Sequence, residues 1–124
     1  MAALNFQKQF APDVESGMKL QTIRAKRKNP IKEGETLYLY TGMRTKKCRK
    51  LGEVKCYSVL PFEISPNGIG CKIGEFVLCL QVSLNKIAVA DGFKDWEEMV
   101  QWFTKTHGLP FEGDIITWNN KPNN

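Results

Sequence analysis

The sequence predicts an α+β domain built on a small, strongly curved or barrel-like antiparallel β-sheet with short helices packed at its ends. Two observations carry this. Five or six short strand patterns share the 124 residues with two or three short helical ones, too mixed for a sandwich and without the regular βα alternation of a parallel sheet. The length suits a single core, because a chain of this size buries roughly two-thirds of the surface its unfolded form exposes and needs neither disulfide nor metal to do so.

Leu4-Asn5-Phe6 reads as a short strand, and Phe10 to Ser16 as a short helix that Gly17 stops. Leu20 to Arg24 alternates around a β-branched pair and predicts a strand. Arg24 to Glu35 is basic and carries Asn29-Pro30 and Gly34, the composition of a loop. Thr36 to Thr41 is a strand, Gly42 to Lys50 a second basic loop, and Leu51 to Val59 a further strand. Ser65-Pro66-Asn67-Gly68 is a turn signal, since Pro presets φ and Asn-Gly tolerates positive φ, so a hairpin is expected. Its return arm runs from Lys72 to Leu84 with Gly74 as a bulge. Asn85 to Ala90 reads as a short helix ended by Asp91-Gly92.

The helix from Trp96 to Thr106 has the strongest local signals. Asp95 is an N-cap, Glu98 completes a capping box, and Trp96, Met99, Val100 and Phe103 form one apolar stripe. His107 falls in its last turn, where a cation complements the macrodipole. Gly108 and Pro110 end it, and Phe111 to Trp118 is a final turn and strand. Residues 1–118 therefore make one domain and 119–124 a polar C-terminal tail.

Composition excludes several classes. The longest uninterrupted apolar run, Phe76 to Leu80, falls far short of the roughly 20 residues of a membrane span. The N-terminus has no apolar stretch of signal-peptide length, so a cytoplasmic location is expected. Cys48, Cys56, Cys71 and Cys79 include no C-x-x-C pair, so reduced thiols on strands are expected and no metal site. Phosphate-loop, dinucleotide, zincin and hydrolase-elbow motifs are all lacking, and no cofactor is implied. A single histidine also rules out two-histidine ribonuclease chemistry within one chain.

The net charge of +5 conceals an asymmetry: residues 19–55 hold twelve Lys and Arg against three Glu. A basic segment on an otherwise acidic domain attracts phosphates, with nucleic acid the usual partner. The candidate phosphate-binding residues are Arg24, Lys26, Arg27 and Lys28 on the first loop, with Arg44, Lys46, Lys47, Arg49 and Lys50 on the second. Within the strand Leu20 to Arg24, Thr22 and Arg24 share a face, and Lys19 can turn its stem toward it. A lysine whose ammonium is penalised by burial and neighbouring cations can take the proton of a threonine hydroxyl and make it a nucleophile.

Gly17-Met18-Lys19-Leu20-Gln21-Thr22-Ile23-Arg24, a following basic loop, Gly34-Glu35-Thr36-Leu37 before a strand, and Ile87-Ala88-Val89-Ala90-Asp91-Gly92-Phe93 before a helix together resemble the ASCH domain. The similarity runs from about Asn5 to Trp118. It implies a PUA-like barrel with peripheral helices around a cleft, and RNA or a modified nucleoside as partner. Some members of that family hydrolyse N4-acetylcytidine with a lysine, a threonine and a glutamate, and another has been described as a ribonuclease. By this resemblance the catalytic residues are Lys19, Thr22 and Asp91, the last one methylene shorter than the family's glutamate. Lys19, Thr22 and Arg24 are then expected to face one pocket, which Asp91 reaches from the start of a helical region.

Overall fold

The computed structural model describes residues 2–119 and 122. Its fold is α+β, with eight strands in two sheets and three helices. One sheet has three strands in the order β1 (Ala2–Phe6), β3 (Thr36–Thr41), β4 (Arg49–Lys55). The other has five, in the order β2 (Gln21–Ala25), β8 (Phe111–Thr117), β5 (Ser58–Ile64), β6 (Cys71–Ile73), β7 (Phe76–Leu78). The two do not close into one barrel, and the pairing is not wholly antiparallel: β1 runs parallel to β3, with Leu4 opposite Leu39. No helix among the described residues is long and apolar enough to cross a membrane.

The core lies between inward-facing strand positions and the helices. Leu37, Leu39, Leu51, Phe62, Ile64 and Ile116 from both sheets meet Val14 of helix α1 (Ala11–Ser16), Leu84 of α2 (Gln81–Ala90), and Met99 and Phe103 of α3 (Trp96–Thr106). The stripe expected on α3 is the face it buries, and Asp95 caps it by accepting from the Glu98 amide at 2.9 Å. The Glu98 carboxylate reaches back to the amide of Lys94, one residue earlier than a strict capping box places it. Asn85 accepts from the Trp96 amide and joins α2 to α3.

Elsewhere local pattern and tertiary context part. The single strand expected over Leu51 to Val59 is two, broken at Cys56-Tyr57, where the chain leaves one sheet for the other. Gly74 makes the tight turn between β6 and β7 and is not a bulge; the bulge lies at Leu51, between the Leu39–Gly52 and Tyr40–Lys50 pairs. The return arm ends at Leu78, and α2 begins at Gln81, so residues up to Leu84 that were expected in a strand are helical. Of the four cysteines, all free, only Cys71 lies on a strand; Cys48 and Cys79 are exposed, and burial pushes the Cys71 thiol up to about 11. Of the expected tail 119–124, residues 120, 121, 123 and 124 lie outside the described residues, and Pro122 is buried.

Gly113 occupies the central strand β8, opposite Ala25 of β2 and Phe62 of β5. A Cβ there would stand 2.1 Å from the carbonyl oxygen of Arg24. Only glycine lets the two strands approach so closely.

Candidate active site

Three local structures deliver polar side chains to one cavity. Helix α1 ends at Gly17 in the left-handed region (φ +87°), and the Lys19 amide donates to the Asp13 carbonyl at 2.9 Å, turning the chain so that Lys19 points inward. Strand β2 then carries Thr22 and Arg24 on one face, as alternation requires; Arg24 Nε donates to Thr22 Oγ1 at 2.9 Å. Helix α2 closes on a Schellman motif: Gly92 (φ +100°) donates to the Val89 carbonyl and Phe93 to the Ala88 carbonyl, leaving Asp91 at the cap. Asp91 thus enters from the C-terminal end of a helix, and not from the start of one as the resemblance suggested.

A carboxylate at a helix C-terminus opposes the macrodipole. Lys19 answers both charges, its Nζ lying 3.1 Å from Asp91 Oδ1 and donating to the Asp91 backbone carbonyl. Gln21 Nε2 donates to the same Oδ1 at 3.4 Å, so both of these side-chain donors converge on one carboxylate oxygen. Lys19, Thr22 and Asp91 are each no more than 5% exposed. Burial lowers the Lys19 ammonium from its ordinary value, against the pull of Asp91, and raises the Asp91 carboxyl, against the pull of Lys19. Both shifts run toward the neutral pair. Burial also brings the Arg24 guanidinium down to about 10, still charged at neutral pH.

The cavity has a volume of about 710 Å³. Lys19, Thr22, Arg24 and Asp91 all line it, with Phe6, Phe10, Phe93 and Trp102 as aromatic walls. Lys19 Nζ lies 5.2 Å from the Phe10 ring centre and the Arg24 guanidinium 4.8 Å from that of Phe6. Arg24 also donates to the Asn5 carbonyl at 2.6 Å, which ties β2 of one sheet to β1 of the other across the cavity wall. His107 lines the cavity as well, stacked on Phe103 with ring centres 5.7 Å apart, beyond the dipole role its position suggested. Neither the aromatic walls nor Gln21 was marked as functional in the sequence; the only signal was that Phe6, Phe10 and Phe93 fall near the Lys-Thr-Arg and Asp-Gly segments.

The basic loops divide. Lys26 pairs with Asp114 at 2.7 Å, Arg49 with Glu15 at 2.7 Å and Lys50 with Glu53, all at exposed sites. Arg27, Lys28, Arg44, Lys46 and Lys47 are exposed and make no ion pair among the described residues. Arg27 and Arg44 reach the cavity itself. Arg24, grouped with them by sequence, is instead half-buried on strand β2 and held against the cavity wall by Thr22 and Asn5.

No protein-family model, curated protein or solved structure matches the chain.

Proposed function

We propose that the protein hydrolyses the amide of an acylated nucleobase, with Thr22 as nucleophile, Lys19 as base and Asp91 as acid. One observation carries the proposal: a hydroxyl, an amine and a carboxyl, all buried, border a single aromatic-walled cavity. The resemblance of Gly17 to Arg24 to the ASCH domain, and through it to a PUA-like barrel, points the same way.

Flat aromatic walls suit a nucleobase. Passing one proton from the Lys19 ammonium to the Asp91 carboxylate it faces leaves the amine neutral and the carboxyl protonated. Lys19 then takes the Thr22 proton, and Arg24 Nε, already hydrogen-bonded to that oxygen, stabilises the charge it gains. The Thr22 oxygen attacks the acyl carbon, the carbon–nitrogen bond breaks, and the leaving amine takes a proton from Asp91. Water then cleaves the threonyl ester, releasing the acid and restoring the hydroxyl. Burial favours the protonation states these roles require, a neutral amine and a protonated carboxyl.

Incubation with a panel of acylated nucleosides, N4-acetylcytidine among them, tests this. Thr22→Val is expected to abolish acid release while keeping the fold, because it removes the nucleophilic oxygen at nearly constant shape. Asp91→Glu, which restores the residue of the resembling family, is expected to keep or raise activity. Turnover by the Thr22→Val protein overturns the assignment of the nucleophile.

A second reading, RNA binding, draws on the exposed cations of the two loops. The readings are compatible where the acylated base belongs to an RNA strand.

A further inference from the structure

We infer, on the basis of the deacylase reading above, that the ligand of this cavity carries a phosphate and that Arg27 and Arg44 hold it at the mouth. Three observations support this. Four cations, Lys19, Arg24, Arg27 and Arg44, line the cavity against a single carboxylate, Asp91. Lys19 is matched to Asp91, and Arg24 is committed to Thr22 and the Asn5 carbonyl. Three positive charges, on Arg24, Arg27 and Arg44, are therefore left over. Because the Arg24 guanidinium is already hydrogen-bonded to two protein oxygens, Arg27 and Arg44 are the ones open to an anion, which a neutral nucleoside does not supply.

These two arginines also differ from their neighbours. Lys26, Arg49 and Lys50 each rest on a carboxylate, whereas Arg27 and Arg44 are exposed and make no ion pair among the described residues. Lys28, Lys46 and Lys47 are also exposed and make no ion pair among the described residues, but of these five cations only Arg27 and Arg44 line the cavity. Arg27 does act at longer range on the Glu35 carboxyl. The two arginines come from different loops and line the same cavity, and guanidinium groups are the side chains best suited to the several acceptor oxygens of a phosphate.

Arg44 is built into its place. It is the one non-glycine residue with positive φ (+66°) among those described. The turn around it is fastened by the Met43 amide donating to Asn5 Oδ1 at 2.9 Å and by Thr45 Oγ1 donating to the Gly42 carbonyl at 2.6 Å. A side chain at Gly42 would collide with the Lys47 carbonyl at 2.9 Å, so the loop has little room to reshape. Asn5 is also the residue whose carbonyl receives Arg24. One residue thus registers the mouth arginine against the strand that bears Thr22.

The shared chemistry is a phosphate ester, borne either by a free nucleotide or by an RNA strand. Calorimetric titration of the wild-type protein with the common ribonucleosides, their 5′-monophosphates and a short RNA without terminal phosphates separates these. At least one monophosphate is expected to bind about tenfold or more tightly than its own nucleoside, and inorganic phosphate is expected to compete with it. Arg27→Gln combined with Arg44→Asn, asparagine being at ease in the left-handed region, is expected to close that gap; Arg27→Gln alone is expected to narrow it. Binding of the RNA as well as of a monophosphate, with the same dependence on the two arginines, assigns the phosphate to a strand, and binding of the monophosphate alone assigns it to a free nucleotide. Equal affinity for nucleotide and nucleoside, no binding of any monophosphate, or a gap that survives both variants overturns the inference. Failure of the deacylase reading is seen separately, as no acid released from any acylated nucleoside.

Discussion

Lys19 neutralises two groups of one residue, the carboxylate and the carbonyl of Asp91, at a site that water barely reaches. Replacing it by Met removes the partner and leaves a buried carboxylate alone, a loss expected to cost about 3 kcal/mol at neutral pH. Burial has already raised the Asp91 carboxyl, and the Lys19→Met change removes the main influence that lowers it. A group whose pKa is higher in the folded state favours folding in its protonated form, so its contribution is kept at low pH and lost as pH rises through the folded value. The difference in stability between wild type and Lys19→Met is therefore expected to shrink as pH falls toward 4. Urea denaturation at a series of pH values measures it, and a pH-independent difference would show that Asp91 stays ionised without its partner. The Thr22–Arg24 contact was legible from strand alternation alone. The pairing of Lys19 with Asp91 spans 72 residues and no local pattern encodes it; only the resemblance brought Asp91 forward.

At the scale of elements, legibility follows how self-contained each signal is. Helix α3 has its cap, stripe and stop within its own sequence, and both ends lie where those residues put them. Helix α2 has no side-chain N-cap bond, and its first turn carries no local start signal; Leu84 of that turn is buried in the core, and the helix packs on α3. The break between β4 and β5 is likewise tertiary, because the alternation runs straight through it and only the assignment of each half to a different sheet divides it. Asp95→Ala is expected to destabilise the protein by about 1 kcal/mol through loss of the bond to the Glu98 amide, read as a lower urea midpoint with unchanged slope. A change in slope would mean that the helix end also frays in the native state.

Across the whole molecule the charge asymmetry was plain in the sequence, but its division was not. Composition cannot tell a cation that faces Asp114, Glu15 or Glu53 from one that faces solvent, because those partners come from other elements or from the fold of the strand. If the loops engage RNA, the logarithm of affinity falls with the logarithm of salt concentration, and reversing Arg27 and Lys47 together to Glu flattens that slope by about one to two units. Filter binding over a salt series decides this, and an affinity indifferent to salt removes the loops from the interface.

The bare backbone of Gly113 has a consequence for how the protein could change over time. Arg24 is held from behind by that strand, and its guanidinium braces the hydroxyl of Thr22. A methyl at 113 would push on the Arg24 carbonyl, so the disturbance would arrive at the cavity although the substituted residue does not touch it. Variation there is closed to the chain even in the absence of any ligand, whereas Arg27 and Arg44, standing in solvent, can be exchanged without disturbing the interior. The same framework can therefore be given new occupants by altering its mouth, while the spacing of the reactive groups is inherited unchanged.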